Sequence, residues 1–245
     1  MAADPQITLV VPVYEERDNI IPFLVETVST IDIPHKALII YDHDRDTTLH
    51  RAAEAHATHA NIEFIKNRYG TGVINAFKTG FAAADTPYIA PIMADLSDTP
   101  ETVNAMYDKI RAGYDLVVAS RYADGGAKIG GPRLKKMLSM AANRSLKILS
   151  GIPTHDMTNA FILYRKEVLE AIEISSTGGF EITMEIIAKA HVKGFQITEV
   201  PTVNRDRTAG DSKFQLTQWM LKYLYWYFYI LFWSGCKRLK LVRNT

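Results

Sequence analysis

Three short polar clusters each follow an apolar run: Pro12-Val13-Tyr14-Glu15-Glu16, Asp42-His43-Asp44-Arg45-Asp46 and Ala94-Asp95-Leu96-Ser97-Asp98. Carboxylates gathered on one edge suit a hard divalent cation whose shell is completed by phosphate oxygens. A single acidic turn of this kind, taken alone, reads more readily as a helix cap. Three on one edge point to a site. No GxGxxG follows the first apolar run and no GxxxxGK[ST] occurs, which disfavours a dinucleotide-binding dehydrogenase and a P-loop NTPase. The seven His show no metal-ligand spacing, and His50, His56 and His59 share an expected helix and read as solvent-facing.

To share an edge, the clusters must sit at the carboxyl ends of parallel strands. Periodicity predicts strands at Ile7–Val13, Ala37–Tyr41, Ile62–Lys66, Tyr88–Met93 and Leu116–Ser120. Helices are expected between them: from an Asp18 cap through about Thr30, near Thr48–Ala57, from about Gly72 to Ala84, and from Pro100 to about Ala112. That alternation means right-handed βαβ crossovers and a parallel sheet with helices on both faces. Beyond Ser120 it breaks. A Gly-rich loop around Gly125–Pro132 leads to a helix over Leu134–Leu149, a strand at Phe161–Tyr164, a helix over Glu181–Lys193 and a strand at Phe195–Pro201. Arg205–Lys213 reads as a polar, basic loop.

Composition is that of an ordinary globular chain: 245 residues, 47% hydrophobic, 22% charged, with a formal net charge of +1. That balance gives no reason to expect nucleic acid as a partner. The single Cys236 excludes an internal disulfide framework and a Cys-cluster zinc site, and fits a reducing compartment. The opening MAADPQ has no basic n-region and reads as carrying no secretory signal. The C-terminal stretch differs from the rest. Leu216 to Cys236 holds all three Trp, and Lys222 is its only charge. The uninterrupted part after Lys222 is shorter than the roughly 20 residues of a spanning helix. With Lys237, Arg238, Lys240 and Arg243 behind it, this tail suits a headgroup-level anchor on an anionic leaflet. A buried helix capping the core, or an oligomer contact, is the other reading. The chain thus divides into a domain over 1–214 and a hydrophobic, membrane-associating tail over 215–245.

Seven motifs stand in a recognisable order: VVPVYEERDNI (10–20), YDHDRDTT (41–48), NRYGTGVINAFKTG (67–80), MADLSDTPE (93–101), ASRYADGG (119–126), DMTNAFILYRKEVL (156–169) and EVPTVNRDRTAGDSKF (199–214). In this order they resemble glycosyltransferase family 2, in particular its dolichyl-phosphate mannose synthase or polyprenyl-phosphate glycosyltransferase branch. The resemblance implies an α/β chain of GT-A fold, the nucleotide-diphospho-sugar transferase fold, with a mostly parallel sheet between helices and a hydrophobic, aromatic-rich C-terminal helix. It implies an inverting enzyme that moves one mannose- or glucose-type sugar from a nucleoside-diphosphate sugar to a polyprenyl phosphate at the cytoplasmic face of a membrane, with Mg²⁺ or Mn²⁺.

By the same resemblance, Pro12, Tyr14 and Glu16 meet the nucleotide, and Asp42 contacts its base. Asp95 holds the metal and the donor's diphosphate, with Asp98 near enough to assist. Arg121, Arg207 and Lys213 stand near the reacting phosphates, and Lys135 and Ser139 meet the acceptor's phosphate. Asp156, which opens the sixth motif, is either a base or a structural residue, and so, from its helical spacing with Glu181 alone, is Glu185. The residue types fit the chemistry. A departing diphosphate needs its charge neutralised, and Arg can grip phosphate with two prongs where Lys cannot. A phosphate monoester, with a second pKa near roughly 6, is already mostly a dianion and needs positioning more than a base.

Several positions depart from the family pattern: Met93 where a first metal-binding Asp is usual, His43 in the acidic second-strand motif, Asn159-Ala160 for Ser-Gly, and Ile162 for Arg. They leave two rivals open: a transferase acting on a saccharide hydroxyl, which needs a general base, and a degenerate sugar-nucleotide-binding relative.

Overall fold

The structure, a computed structural model, describes residues 4–56, 61–205 and 216–238. Seven strands form one sheet: β1 (Ile7–Val13), β2 (His35–Tyr41), β3 (Ile62–Lys66), β4 (Tyr88–Pro91), β5 (Leu116–Ser120), β7 (Ile162–Arg165) and β8 (Ile197–Pro201). Their order is β3-β2-β1-β4-β7-β5-β8. All neighbours are parallel except β7, which runs antiparallel to both β4 and β5. Every residue of β1 is buried, as expected of a strand covered on both faces. Its side chains alternate between two cores. Val10 joins Leu38, Ile40 and Phe77 on one face, while Leu9 and Val11 join Phe23, Ile39 and Met106 on the other.

The helices α1 (Ile20–Thr30), α2 (Thr47–His56), α3 (Val73–Ala83) and α4 (Thr102–Arg111) make the crossovers of the first half. The chain runs from β1 outward through β2 to β3, then returns to place β4 on the other side of β1. The crevice at the carboxyl ends of β1 and β4 is therefore the topological switch point, where such sheets bind ligands. Close packing fixes α3 on β1. A Cβ at Gly80 would lie 2.2 Å from Val10 Cγ1, so only glycine fits there without repacking.

The sequence expectations hold for the strand and helix order, with local differences. Asp18 does not cap α1. Asn19 occupies the N-cap without a side-chain cap bond, because its amide is spent on Glu16. Within the expected Gly-rich loop, β6 (Ala127–Ile129) pairs in parallel with β9 (Val203–Arg205). Three-residue strands carry too few alternations to show a period. A short helix, α6 (Lys166–Glu170), follows β7.

The remaining helices, α5 (Arg133–Ser150), α7 (Glu181–Lys193) and α8 (Leu216–Arg238), pack together beyond β7. Trp226 and Ile230 of α8 are buried in the core and Tyr227 Oη lies 2.8 Å from Ser145 Oγ of α5, whereas Leu221, Phe228 and Phe232 are exposed. One face of α8 thus caps the core, as the second reading of the tail expected, and the other face is open. Among the described residues no helix is long and apolar enough to cross a membrane.

Candidate active site

The turn after β1 is pinned to the start of α2. Glu15 adopts a left-handed backbone, φ 57°. Its N–H donates to both Asp46 carboxylate oxygens (3.2 and 3.3 Å), and the Glu16 N–H donates to Thr48 Oγ1 (2.9 Å). Asn19 Nδ2 holds Glu16 Oε2 at 2.7 Å. This leaves the Tyr14 ring largely exposed at the sheet edge, edge-on to His43 with centroids 5.6 Å apart. Asp42, expected to meet a base, has structural duties: Oδ1 accepts from Asn67 Nδ2 (3.0 Å) and Oδ2 from the Gly72 N–H (2.9 Å). It holds the 67–72 loop against the end of β2.

After β4, Asp95 and Asp98 are both buried. Asp95 Oδ1 accepts the Ser97 N–H at 3.1 Å, and Leu96 between them takes φ 59°. Burial first, and then the charge of Asp95, push the Asp98 carboxyl up to about 6, against bonds from Asn204 Nδ2 (3.0 Å) and the Met93 main-chain N–H and against the charge of Arg121. A buried carboxyl held up by burial and by a neighbouring carboxylate is relieved by a cation. The hard oxygens of the two fit Mg²⁺ or Mn²⁺, with diphosphate oxygens filling the rest of the shell. Among the described residues no three His, Cys, Asp or Glu converge. The loop is tied down by β9, through Arg205 N–H to Ser97 O (2.8 Å) and Thr99 Oγ1 to Val203 O (2.6 Å). Arg207 and Lys213 lie outside the described residues.

Beyond β5 the opposite charge is fixed with equal care. Arg121 Nε donates to Asp156 Oδ2 (2.7 Å) and Nη2 to Asp156 Oδ1 (2.9 Å), and the Arg121 main-chain N–H adds a bond to Oδ2 (3.1 Å). Nη2 also reaches Thr158 Oγ1 at 2.9 Å. Burial opposes the guanidinium charge, but the fully buried Asp156 carboxylate outweighs it and holds the pKa above the ordinary arginine value. Next to it, Tyr122 Oη donates to Ser139 Oγ of α5 at 3.1 Å. Lys135 stands in the first turn of the same helix, but its side chain lies outside the described ones. Tyr223 of α8 comes near enough to feel the charges of Glu181 and Arg121, so the C-terminal helix borders this side of the site.

Glu185 is fully buried, and both of its oxygens are occupied. Oε1 accepts from the Ser175 N–H and Oγ (each 2.7 Å) and from Lys189 Nζ (2.6 Å), and Oε2 from the Ser176 N–H (2.8 Å). Burial opposes its charge, but Lys189 and the two serines prevail and hold its pKa below the ordinary carboxylate value. Glu181 likewise takes the N–H groups of Gly178 and Gly179 (2.7 and 2.6 Å). Sequence reasoning missed Asn204 and Thr158, which touch Asp98 and Arg121. Neither type nor spacing marks them, since each meets its partner only through the fold.

A family model described as "Glycosyl transferase family 2" matches residues 8–173. The chain is 30% identical over 211 residues to a protein named polyprenol monophosphomannose synthase from Mycolicibacterium smegmatis, covering 84% of this chain and 79% of that one. It is 28% identical over 239 residues to dolichol-phosphate mannosyltransferase of Pyrococcus furiosus, covering 94% of this chain and 65% of that one. Among solved structures, glucosyl-3-phosphoglycerate synthase of Mycobacterium tuberculosis shares the fold. The form with Mn²⁺, UDP and glucosyl-3-phosphoglycerate superposes with a TM-score of 0.67 at 14% identity, over 95% of this chain and 81% of that one.

Proposed function

The chain belongs to glycosyl transferase family 2, in the branch resembling dolichol-phosphate mannose synthases, and from that premise we propose that it moves one mannose- or glucose-type sugar from a nucleoside-diphosphate sugar onto a polyprenyl phosphate. In the proposed reaction an oxygen of the acceptor phosphate attacks the anomeric carbon and the bond from that carbon to the donor's β-phosphate oxygen breaks. The nucleoside diphosphate leaves with the electron pair and the configuration inverts. Pro12, Tyr14 and Glu16 line the edge where the nucleoside would lie, with Asp42 holding the loop beneath it. Asp95 and Asp98 would hold the cation, which when bound neutralises the diphosphate as it departs. Arg121, oriented by Asp156, has Nη1 outside that ion pair and can stabilise the same developing charge. We assign Arg207 and Lys213 to the reacting phosphates as well, and Lys135 and Ser139 to the acceptor's phosphate.

One observation carries the acceptor class. Asp156 and Glu185, the two carboxylates that could serve a hydroxyl acceptor as base, are fully buried with both oxygens of each bonded inside the protein. A phosphate acceptor, already anionic, needs neither. The acceptor's lipid has a matching surface. The adjacent helices α5 and α8 expose Leu134, Met137 and Leu138, and Leu221, Phe228 and Phe232. Apolar faces of this kind bordered by cations suit shallow docking on an anionic leaflet, with residues 215–245 as the membrane-associating tail and the cytoplasmic face as the side.

The test is transfer from a panel of radiolabelled sugar nucleotides to short-chain polyprenyl phosphate, with Mg²⁺ or Mn²⁺ and then with chelator. Metal-dependent label in the lipid phase is expected. Nucleotide binding without lipid product from any donor would overturn the reading in favour of a hydroxyl acceptor or an inactive relative.

A further inference from the structure

Glu199 lies on β8, opposite Val118 of β5, and belongs to no part of the site described so far. Its carboxylate is mostly buried and gathers partners from two segments. Oε2 accepts the His155 N–H at 2.7 Å and the Thr154 hydroxyl at 3.1 Å, and Oε1 takes the His155 ring Nδ1. The Ser120 hydroxyl stands close enough to favour its charge, and the strand that carries Glu199 is bonded to Ser120 through the Thr202 N–H, 3.0 Å from Ser120 O. Lys147 Nζ of α5 stands 3.8 Å from Oε1 as countercharge. Ser120 immediately precedes Arg121, and Thr154 and His155 immediately precede Asp156. The Thr154 oxygen that donates to Glu199 also accepts the Asp156 N–H at 3.1 Å. A single carboxylate therefore joins the two backbone segments whose next residues form the Arg121–Asp156 pair.

We propose that Glu199 is a positioning residue for glycosyl transfer: through Ser120 on one side and Thr154 and His155 on the other, it sets the register in which Asp156 grips Arg121. The proposal rests on the reading of Arg121 as the group that meets the departing diphosphate. A bidentate guanidinium–carboxylate pair tolerates little displacement, and a misplacement of about 1 Å can cost on the order of a hundredfold in rate. Substrate itself does not touch Glu199, so the loss should fall on kcat and leave KM for donor and acceptor in place.

The experiment is a double-mutant cycle of E199Q and R121K, read both in turnover and by NMR. E199Q is expected to lower kcat about tenfold with KM unchanged, and R121K about a hundredfold. Because Glu199 acts through Arg121, the double variant should be no slower than R121K alone. In ¹⁵N-labelled protein the Arg121 Nε–H signal, identified by its loss in R121K, should shift and exchange faster in E199Q. T154V should reproduce that shift should E199Q not fold, and T154S should restore the wild-type signal. An unmoved signal in folded E199Q or T154V, or multiplicative losses in the double variant, would overturn the proposal. Undiminished turnover in R121K would overturn the reading of Arg121 instead, whatever the NMR signal does.

Discussion

On the edge formed by β1, β2 and β4, two aspartates each bond to the main-chain N–H two residues further on, Asp46 to Thr48 and Asp95 to Ser97. On the edge formed by β5, β7 and β8, Asp156 makes the same local turn to Thr158, but its ion pair is with Arg121, a partner 35 residues away. The loop ahead of it hangs on Glu199, 44 residues beyond His155. The first edge is a set of acidic turns, each closed by a local bond and tied to a neighbouring loop by a further one (Asp46 to Glu15, Asp98 to Asn204), on a regular parallel frame. The second is a charge pair assembled from separate segments around an antiparallel strand. Acid turns can hold a cation wherever a strand ends. A guanidinium held bidentate by a carboxylate, as Arg121 is by Asp156, is oriented from several directions, and that requires the chain to return.

The largest test breaks the first edge at Asp95, the carboxylate proposed to hold the cation. D95N should lower turnover about a thousandfold, roughly 4 kcal/mol of transition-state stabilisation, without loss of the folded state. Transfer assays beside thermal unfolding would show it. A change at the second edge should instead show in stability. D156A strands a buried guanidinium, and breaking such a pair costs about 3–5 kcal/mol, readable as a lowered denaturant midpoint. If D95N proved the more destabilising of the two, the contrast between local turns and assembled pair would fail. A smaller effect belongs to the frame under the first edge. G80A forces a Cβ against Val10 and should cost about 1–3 kcal/mol by overpacking, measured by urea unfolding.

The smallest effect sharpens the comparison through pH. The folded pKa of Glu185 lies below its ordinary 4.5, so its contribution to stability is present above that value and is lost as pH falls through the folded pKa. E185Q should therefore show a flatter fall in stability than wild type below about pH 4.5. Its turnover near neutrality should persist, since the carboxylate anchors the 175–176 loop, to which Trp226 Nε1 of α8 is also tied at 3.1 Å. Abolished turnover in folded E185Q would restore it as a base.

The strands Ile7–Val13 and Leu116–Ser120 follow from the sequence to the residue, because strands buried on both faces are nearly unbroken apolar runs; the edge strand Ile62–Lys66 and the helix Glu181–Lys193 also fall where the sequence places them. The acidic turns were legible for a related reason: an Asp that bonds two residues ahead writes its partner into its own neighbourhood. Gly80, by contrast, says nothing of Val10 until the two meet.

What the sequence by itself determined is the frame, the family and the acidic edge, each encoded over short windows by periodicity, turn chemistry or motif order. What only the tertiary structure decided is which carboxylates are occupied. Asp156 and Glu185 are each the same residue type as a general base, and no local pattern separates a base from a clamp. The difference lies in desolvation and in partners brought from elsewhere in the chain: Arg121 for one, and Ser175, Ser176 and Lys189 for the other. A carboxylate's chemistry is set by what surrounds it in space, and for these two that environment exists only once the chain has folded.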